Sequence, residues 1–135
     1  MSRTCLFDAC SLLAYLNDEE GADKVEQLLN DEGTEKVIHA INLLEVYYDV
    51  YRVEGKERAE DVLDALEQFP ARIIQEIGNQ TFREAGRLKA TYRLSIADAI
   101  AVGEARVQNA DLVSADHHEL DALEAAGEVE VIWIR

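Results

Sequence analysis

LSIADAIAVGEA, residues Leu94 to Ala105, places one carboxylate, Asp98, in a run with almost no other polar group. Wound as a helix, the segment sets Leu94, Ala101, Val102 and Ala105 on the face of Asp98, with Ile96, Ile100 and Gly103 opposite. A helix that is apolar all round is a buried helix. A lone carboxylate is costly to bury unless it is paired, hydrogen-bonded or bound to a metal, so Asp98 is predicted to have a partner. Ser95 and Asp98 also have the S-x-x-D spacing of a capping box, in which Asp98 returns a bond to the Ser95 backbone. For Asp98 alone, capping is the simpler reading. A metal site, by contrast, needs several anionic oxygens converging from different elements.

Outward from this helix, strands and helices alternate. Arg3 to Phe7 reads as a buried strand ending at Asp8, followed by a helix through Leu12, Leu13 and Leu16 and a second through Ala22, Val25, Leu28 and Leu29. Val37 and Ile38 mark the next strand, and Asn42 is expected to open a helix running through Tyr51. Ala59, Val62, Leu63 and Leu66 line one face of the helix after Gly55, which Pro70 closes off before a short strand, Arg72 to Ile74. A helix from about Gln80 to Tyr92 is expected to pack through Phe82, Ala85 and Leu88. After the Asp98 helix come a strand, Asp111 to Ser114, a helix, Glu119 to Ala126, and a last strand, Val129 to Ile134. This alternation predicts an α/β fold, a parallel sheet covered by helices on both faces, with its ligand site at the carboxyl ends of the strands.

The 135 residues suit one domain, residues 1–135, and no repeat or linker divides them. No apolar run is long enough for a signal peptide or a membrane span, so a soluble, cytoplasmic protein is expected. Cys5 and Cys10 are too close in sequence to staple a fold and match no zinc spacing; they read as reduced thiols. His117 and His118 read as a solvated loop pair. Lysine and arginine total 13 against 28 acids, a net charge of −15, which is the opposite of the basic footprint of a general nucleic-acid binder. Such a balance suits either a high-salt interior, where surface repulsion is screened, or a basic partner.

Three more acids stand where the strand-end rule makes them informative. Asp8 closes the first strand, Glu45 is expected in the first turn of the helix after the second, and Asp116 follows the Leu112–Val113 strand. Each has a capping alternative, including an Asn42–Glu45 box. Taken together with Asp98 they form a set of hard oxygen donors with no matching His or Cys, which suits Mg²⁺ or Mn²⁺.

FDACSLLAYL around Asp8, INLLEVYYDV around Glu45, LSIADAIAVGEA around Asp98 and LVSADHHEL around Asp116 resemble, in order, the motifs of the PIN domain, and in particular of VapC-type toxin ribonucleases. The resemblance implies a PIN-like three-layer fold and Mg²⁺- or Mn²⁺-dependent hydrolysis of RNA, with Asp8, Glu45, Asp98 and Asp116 holding the metal. It further implies that Ser114, the small hydroxyl residue before the last acid, and Asn42 support that set, and that an antitoxin protein is a candidate partner. Cys10 departs from the family, which usually has Ser, Thr or Asn there. Arg83, Arg87, Lys89 and Arg93 are candidate contacts to the RNA backbone, with a solvated helix face as the equal alternative. A homodimer is expected, with Tyr47, Tyr48 and Tyr51 as its candidate interface and core packing as the other reading of those rings. The competing function is a PIN-like binding protein without activity, acting in a complex.

Overall fold

The computed structural model describes residues 3–135. Its centre is β1 (Arg3–Phe7), whose Cys5, Leu6 and Phe7 are wholly buried. A strand that is apolar on successive residues needs cover on both faces, and a parallel sheet provides it. β1 is flanked by β2 (Thr34–His39) on one side and β4 (Asp111–Ser114) on the other; β3 (Arg72–Ile74) and β5 (Val131–Trp133) form the edges. All four pairings are parallel, with Leu6 opposite Val37 and Leu112. Cys5, Phe7, Ile38 and Val113 point to one face of the sheet and Leu6, Val37 and Leu112 to the other, as the two-residue period of a strand requires.

The first face is covered by α1 (Ala9–Leu16), α2 (Ala22–Asn30), α3 (Ala40–Glu54) and α4 (Lys56–Glu67), through Leu12, Val25, Val46 and Leu66. The second is covered by α5 (Asn79–Thr91), α6 (Ile96–Gln108) and α7 (His117–Ala125), through Leu88, Ile100, Val102 and Leu120. The chain winds β1, β2, β3 towards one edge and then returns to place β4 beside β1. Strand order therefore switches between β1 and β4, and the carboxyl ends of these two strands are where an open parallel sheet binds its ligand. No helix among the described residues is long and apolar enough to cross a membrane.

Several local expectations are corrected. α3 begins at Ala40, not Asn42, because the His39 ring caps it by accepting the Ile41 N–H at 3.0 Å; Glu45 thereby moves out of the first turn. α7 begins at His117, so the two histidines open a helix rather than sit in a loop, and His117 stacks on Trp133 with ring centroids 3.7 Å apart. β5 is shorter than the alternating pattern suggested. Phe82 is exposed, and Thr81 takes its place in the α5 contact beside Ala85 and Leu88. α6 is buried along most of its length, but Ile96 at its start is exposed. Tyr48 and Tyr51 are also exposed, which removes the core-packing reading for those two rings. Cys5 and Cys10 are free thiols, and burial pushes both up to about 11.

Candidate metal centre

Asp8 lies at the switch point, where β1 ends and α1 begins. Its Oδ1 accepts the Ser11 N–H at 2.8 Å, so it does cap α1, and Ser114, buried at the end of β4, hydrogen-bonds the same carboxylate. Burial dominates and raises its pKa to about 6, against the pull of the Ser114 and Ser11 bonds; the charge of Asp116 pushes the same way as burial. Asp116, just past β4, caps α7: its backbone N–H donates to Ser114 Oγ at 3.0 Å and its Oδ1 accepts the Glu119 N–H at 3.3 Å. Capping and membership of the acidic groove are thus compatible, since each carboxylate has a second oxygen to present.

For Asp98 the two readings separate. Ser95 Oγ accepts the Asp98 backbone N–H at 3.1 Å, the first half of a capping box. The reciprocal bond to the Ser95 N–H comes from Glu119 Oε2, at 2.8 Å, and not from Asp98. The Asp98 carboxylate is left facing the groove. Its oxygens, those of Asp116 and those of Glu119 supply one atom each to a group lying within 4.8 Å of one another. Asp98 and Glu119 are close enough to share a proton: burial, the Glu119 bond and the charges of Asp8, Glu119 and Glu45 drive Asp98 strongly up, while the bond to Asp98 holds Glu119 down.

Glu45 reaches the groove from the second turn of α3. Burial raises its pKa, the Asn42 side-chain bond opposes this, and the charges of Glu119 and Asp116 add to the rise. Asn42 Nδ2 donates to Glu45 Oε1 at 3.3 Å, and the Asn42 Oδ1, fully buried, has no partner among the described residues. Leu44 and Tyr48, on the same helix as Glu45, are exposed. All four acids singled out from sequence therefore act on one another electrostatically, but the tight cluster contains Asp98 and Asp116 with Glu119, and Asp8 and Glu45 flank it. Glu119 went unread because it looked like one more acid on a solvated helix. The signal was its place three residues after Asp116, in the spacing of a cap.

The basic residues of α5 divide. Arg87 forks onto Glu128 at 2.8 and 3.0 Å and bonds Glu84 at 2.8 Å, so its charge is committed within the fold; Arg106, on α6, joins the same two carboxylates. Arg83 bonds Asn79 one turn back. Lys89 and Arg93 are exposed and in no ion pair among the described residues, and the Lys89 charge acts on Glu119. A cavity of about 730 Å³ lies beside Arg83, Arg106 and Glu128 and includes none of the groove acids.

The sequence matches the PIN domain family over residues 5–126. The chain belongs to that family. No curated protein matches it. Among solved structures, this PIN domain is similar to VapBC2 from Rickettsia felis bound to a promoter DNA fragment (TM-score 0.75, 18% identity, 96% of this chain and 97% of that one). It is also similar to a toxin-antitoxin complex from Klebsiella pneumoniae (0.71, 18%, 97% and 98%) and to VapC20 from Mycobacterium tuberculosis, a sarcin-ricin loop cleaving toxin (0.70, 14%, 94% and 98%). At such identities the likeness is one of fold.

The groove fits a hard divalent cation. Its donors are all oxygens, none of its five acids is in an ion pair with Lys or Arg among the described residues, and the orphaned Asn42 Oδ1 lies next to Glu45. Carboxylates raised by burial and mutual repulsion are short of positive charge, which a cation provides.

Proposed function

We propose that this PIN-domain chain is an Mg²⁺- or Mn²⁺-dependent endoribonuclease, the toxin of a toxin-antitoxin pair. The observation that carries the reading is the convergence of Asp98, Asp116 and Glu119 oxygens within 4.8 Å at the strand-order switch, with Asp8 and Glu45 beside them. The likeness to a toxin-antitoxin complex and to a toxin that cleaves the sarcin-ricin loop supports the reading of the substrate and of the antitoxin partner.

Asp8, Glu45, Asp98 and Asp116, with Glu119 added, would hold the metal. A bound divalent ion supplies an activated water and neutralises charge on a phosphodiester. The chain itself does the rest. Ser114 orients Asp8 and Asp116 through its hydroxyl, and Asn42 holds the Glu45 carboxylate. The proton that Asp98 and Glu119 are placed to share would be displaced by a cation held here, which would couple ion binding to pH. Lys89 and Arg93, which carry no ion pair among the described residues, are the proposed contacts to the RNA backbone, with Arg83 from the first half of α5; Arg87 is committed to Glu84 and Glu128. The exposed Leu44, Tyr48 and Tyr51, at successive turns of α3, are the proposed face of a homodimer. Free thiols accord with a reducing, cytoplasmic location.

Purified chain incubated with RNA tests this directly. Cleavage should require Mg²⁺ or Mn²⁺, stop with a chelator and be lost in Asp98→Asn, which keeps the shape but removes the charge. Wild-type rates in that variant would sink the site. An inert wild-type chain that still binds a partner protein would establish the binding-protein reading instead.

A further inference from the structure

A second buried polar cluster, sharing no residue with the acidic groove, joins the end of β2 to α6. His39 and Glu104 are 2% and 3% exposed. His39 ends β2 and caps α3 in the same step: its Nδ1 accepts the Ile41 N–H at 3.0 Å. That bond requires an unprotonated Nδ1, so the single proton of the neutral ring is on Nε2. Nε2 lies 3.0 Å from the Glu76 carbonyl, to which it donates, and 3.8 Å from Glu104 Oε1. Glu104 is held in turn by the Thr81 hydroxyl at 3.2 Å and by Gln108 Nε2 at 2.9 Å. One imidazole therefore touches the start of the helix that carries Asn42 and Glu45 and faces the middle of the helix that carries Asp98.

We propose that His39 is a positioning residue of the acidic groove: its neutral ring caps the first turn of α3 and fixes it to the Glu76 carbonyl beside Glu104, and protonation at Nδ1 releases the cap and lets Glu45 drift relative to Asp98. The proposal rests on the reading of that groove as a metal site. Once protonated, Nδ1 meets the Ile41 N–H donor to donor, so the cap bond is lost, and the cationic ring is drawn towards Glu104. Glu104 is the charge that acts on the ring; α5 contributes the neutral Thr81, β3 the apolar Ile74 opposite it in register, and the β3–α5 connection the Glu76 carbonyl. Burial favours the neutral ring and lowers its pKa, with the Glu76 bond and Glu104 pulling the other way, so the cap holds at neutral pH.

The test compares wild type with His39→Asn, which still caps a helix well but does not titrate, and His39→Ala, which does neither. Hydrogen exchange at the Ile41 amide and Mn²⁺ affinity are followed from neutral pH to about pH 5, across the ordinary histidine range. In wild type the Ile41 amide should lose protection as pH falls; in His39→Asn it should keep it, and Mn²⁺ affinity should fall less steeply with pH. His39→Ala should weaken Mn²⁺ binding at neutral pH by roughly 2- to 30-fold, the range of coupling carried through packed elements. Identical pH profiles in wild type and His39→Asn, or an unchanged Mn²⁺ affinity in a folded His39→Ala, would overturn the proposal. If the wild-type chain takes up no Mn²⁺, the metal reading of the groove is what fails. The Ile41 amide then decides the cap release by itself: protection lost in wild type and kept in His39→Asn supports it, and equal protection overturns it.

Discussion

Asp98 shows how a capping motif and an acid that faces other acids can share one four-residue segment, Ser95 to Asp98. Ser95 Oγ takes the Asp98 N–H, and Glu119, from another helix, takes the Ser95 N–H that a self-contained box would have given to Asp98. The Asp98 carboxylate is thereby free, and without a cation it is a liability, since burial and three neighbouring carboxylates oppose its charge. Asp98→Asn should accordingly stabilise the metal-free chain, on the order of 1 kcal/mol, because a group whose ionised form is disfavoured in the native state is replaced by a neutral one. Were the side chain a cap, the same variant would lose up to about 1 kcal/mol. Chemical denaturation in the presence of a chelator distinguishes the two signs.

The α5–α6 contact, which positions the helix carrying Asp98, depends on Gly103. A Cβ at that position would stand 3.1 Å from the Ala85 nitrogen and 3.3 Å from the Thr81 carbonyl, both backbone atoms of α5. Gly103→Ala gains about 1 kcal/mol of helix propensity but must move a packed helix, and overpacking costs about 1–3 kcal/mol. A net drop in melting temperature is expected, with weakening of the bond from Thr81 to Glu104; an unchanged or raised value would mean that α5 yields freely. The same contact explains why Phe82 was misplaced. Apolar periodicity chose the aromatic ring, whereas the position facing α6 belongs to Thr81, whose hydroxyl has Glu104 to bond.

Across the whole molecule the titratable groups pull in opposite directions, and their signs set a stability profile. Asp8, Glu45 and Asp98 are raised in the native state, so between the unfolded carboxylate range, about 4, and their native values the folded chain binds more protons and gains stability as pH falls. Glu128, held down to about 2 chiefly by Arg87, works the other way: its contribution is complete above the unfolded value and is lost as pH drops towards 2. His39, kept neutral by burial, subtracts stability below its ordinary value near 6.5. His117, raised by its bonds to Arg135 and Asp121, adds to it. The metal-free chain should therefore melt highest at mildly acidic pH, about 5, and less high at 8. Millimolar Mg²⁺ should reverse the order by stabilising the form in which the acids are ionised. A metal-free melting temperature that falls steadily from pH 8 to 5, or one indifferent to Mg²⁺ at both values, would contradict this balance.

Alternating strands and helices, the buried character of α6 and the family were legible along the chain, because hydrophobic period and motif order are local properties. Asp8, Asp98 and Asp116 could be singled out for the same reason, each standing at an element boundary in an apolar stretch. What the residues could not reveal is which acids meet. Glu119 joins the cluster because β4 lies beside β1 and brings the start of α7 against the start of α6. Glu104 escaped notice as a second acid in a mostly apolar helix, yet it is buried because Thr81 of α5 and Gln108 complete its bonds and the His39 ring of β2 lies beside it. Arg87 looked available and is not, since Glu128 is 41 residues away in sequence and 2.8 Å away in space. Whether a charged side chain is solvated, paired or left to bind an ion depends on contacts between distant segments, and only the tertiary structure decides those.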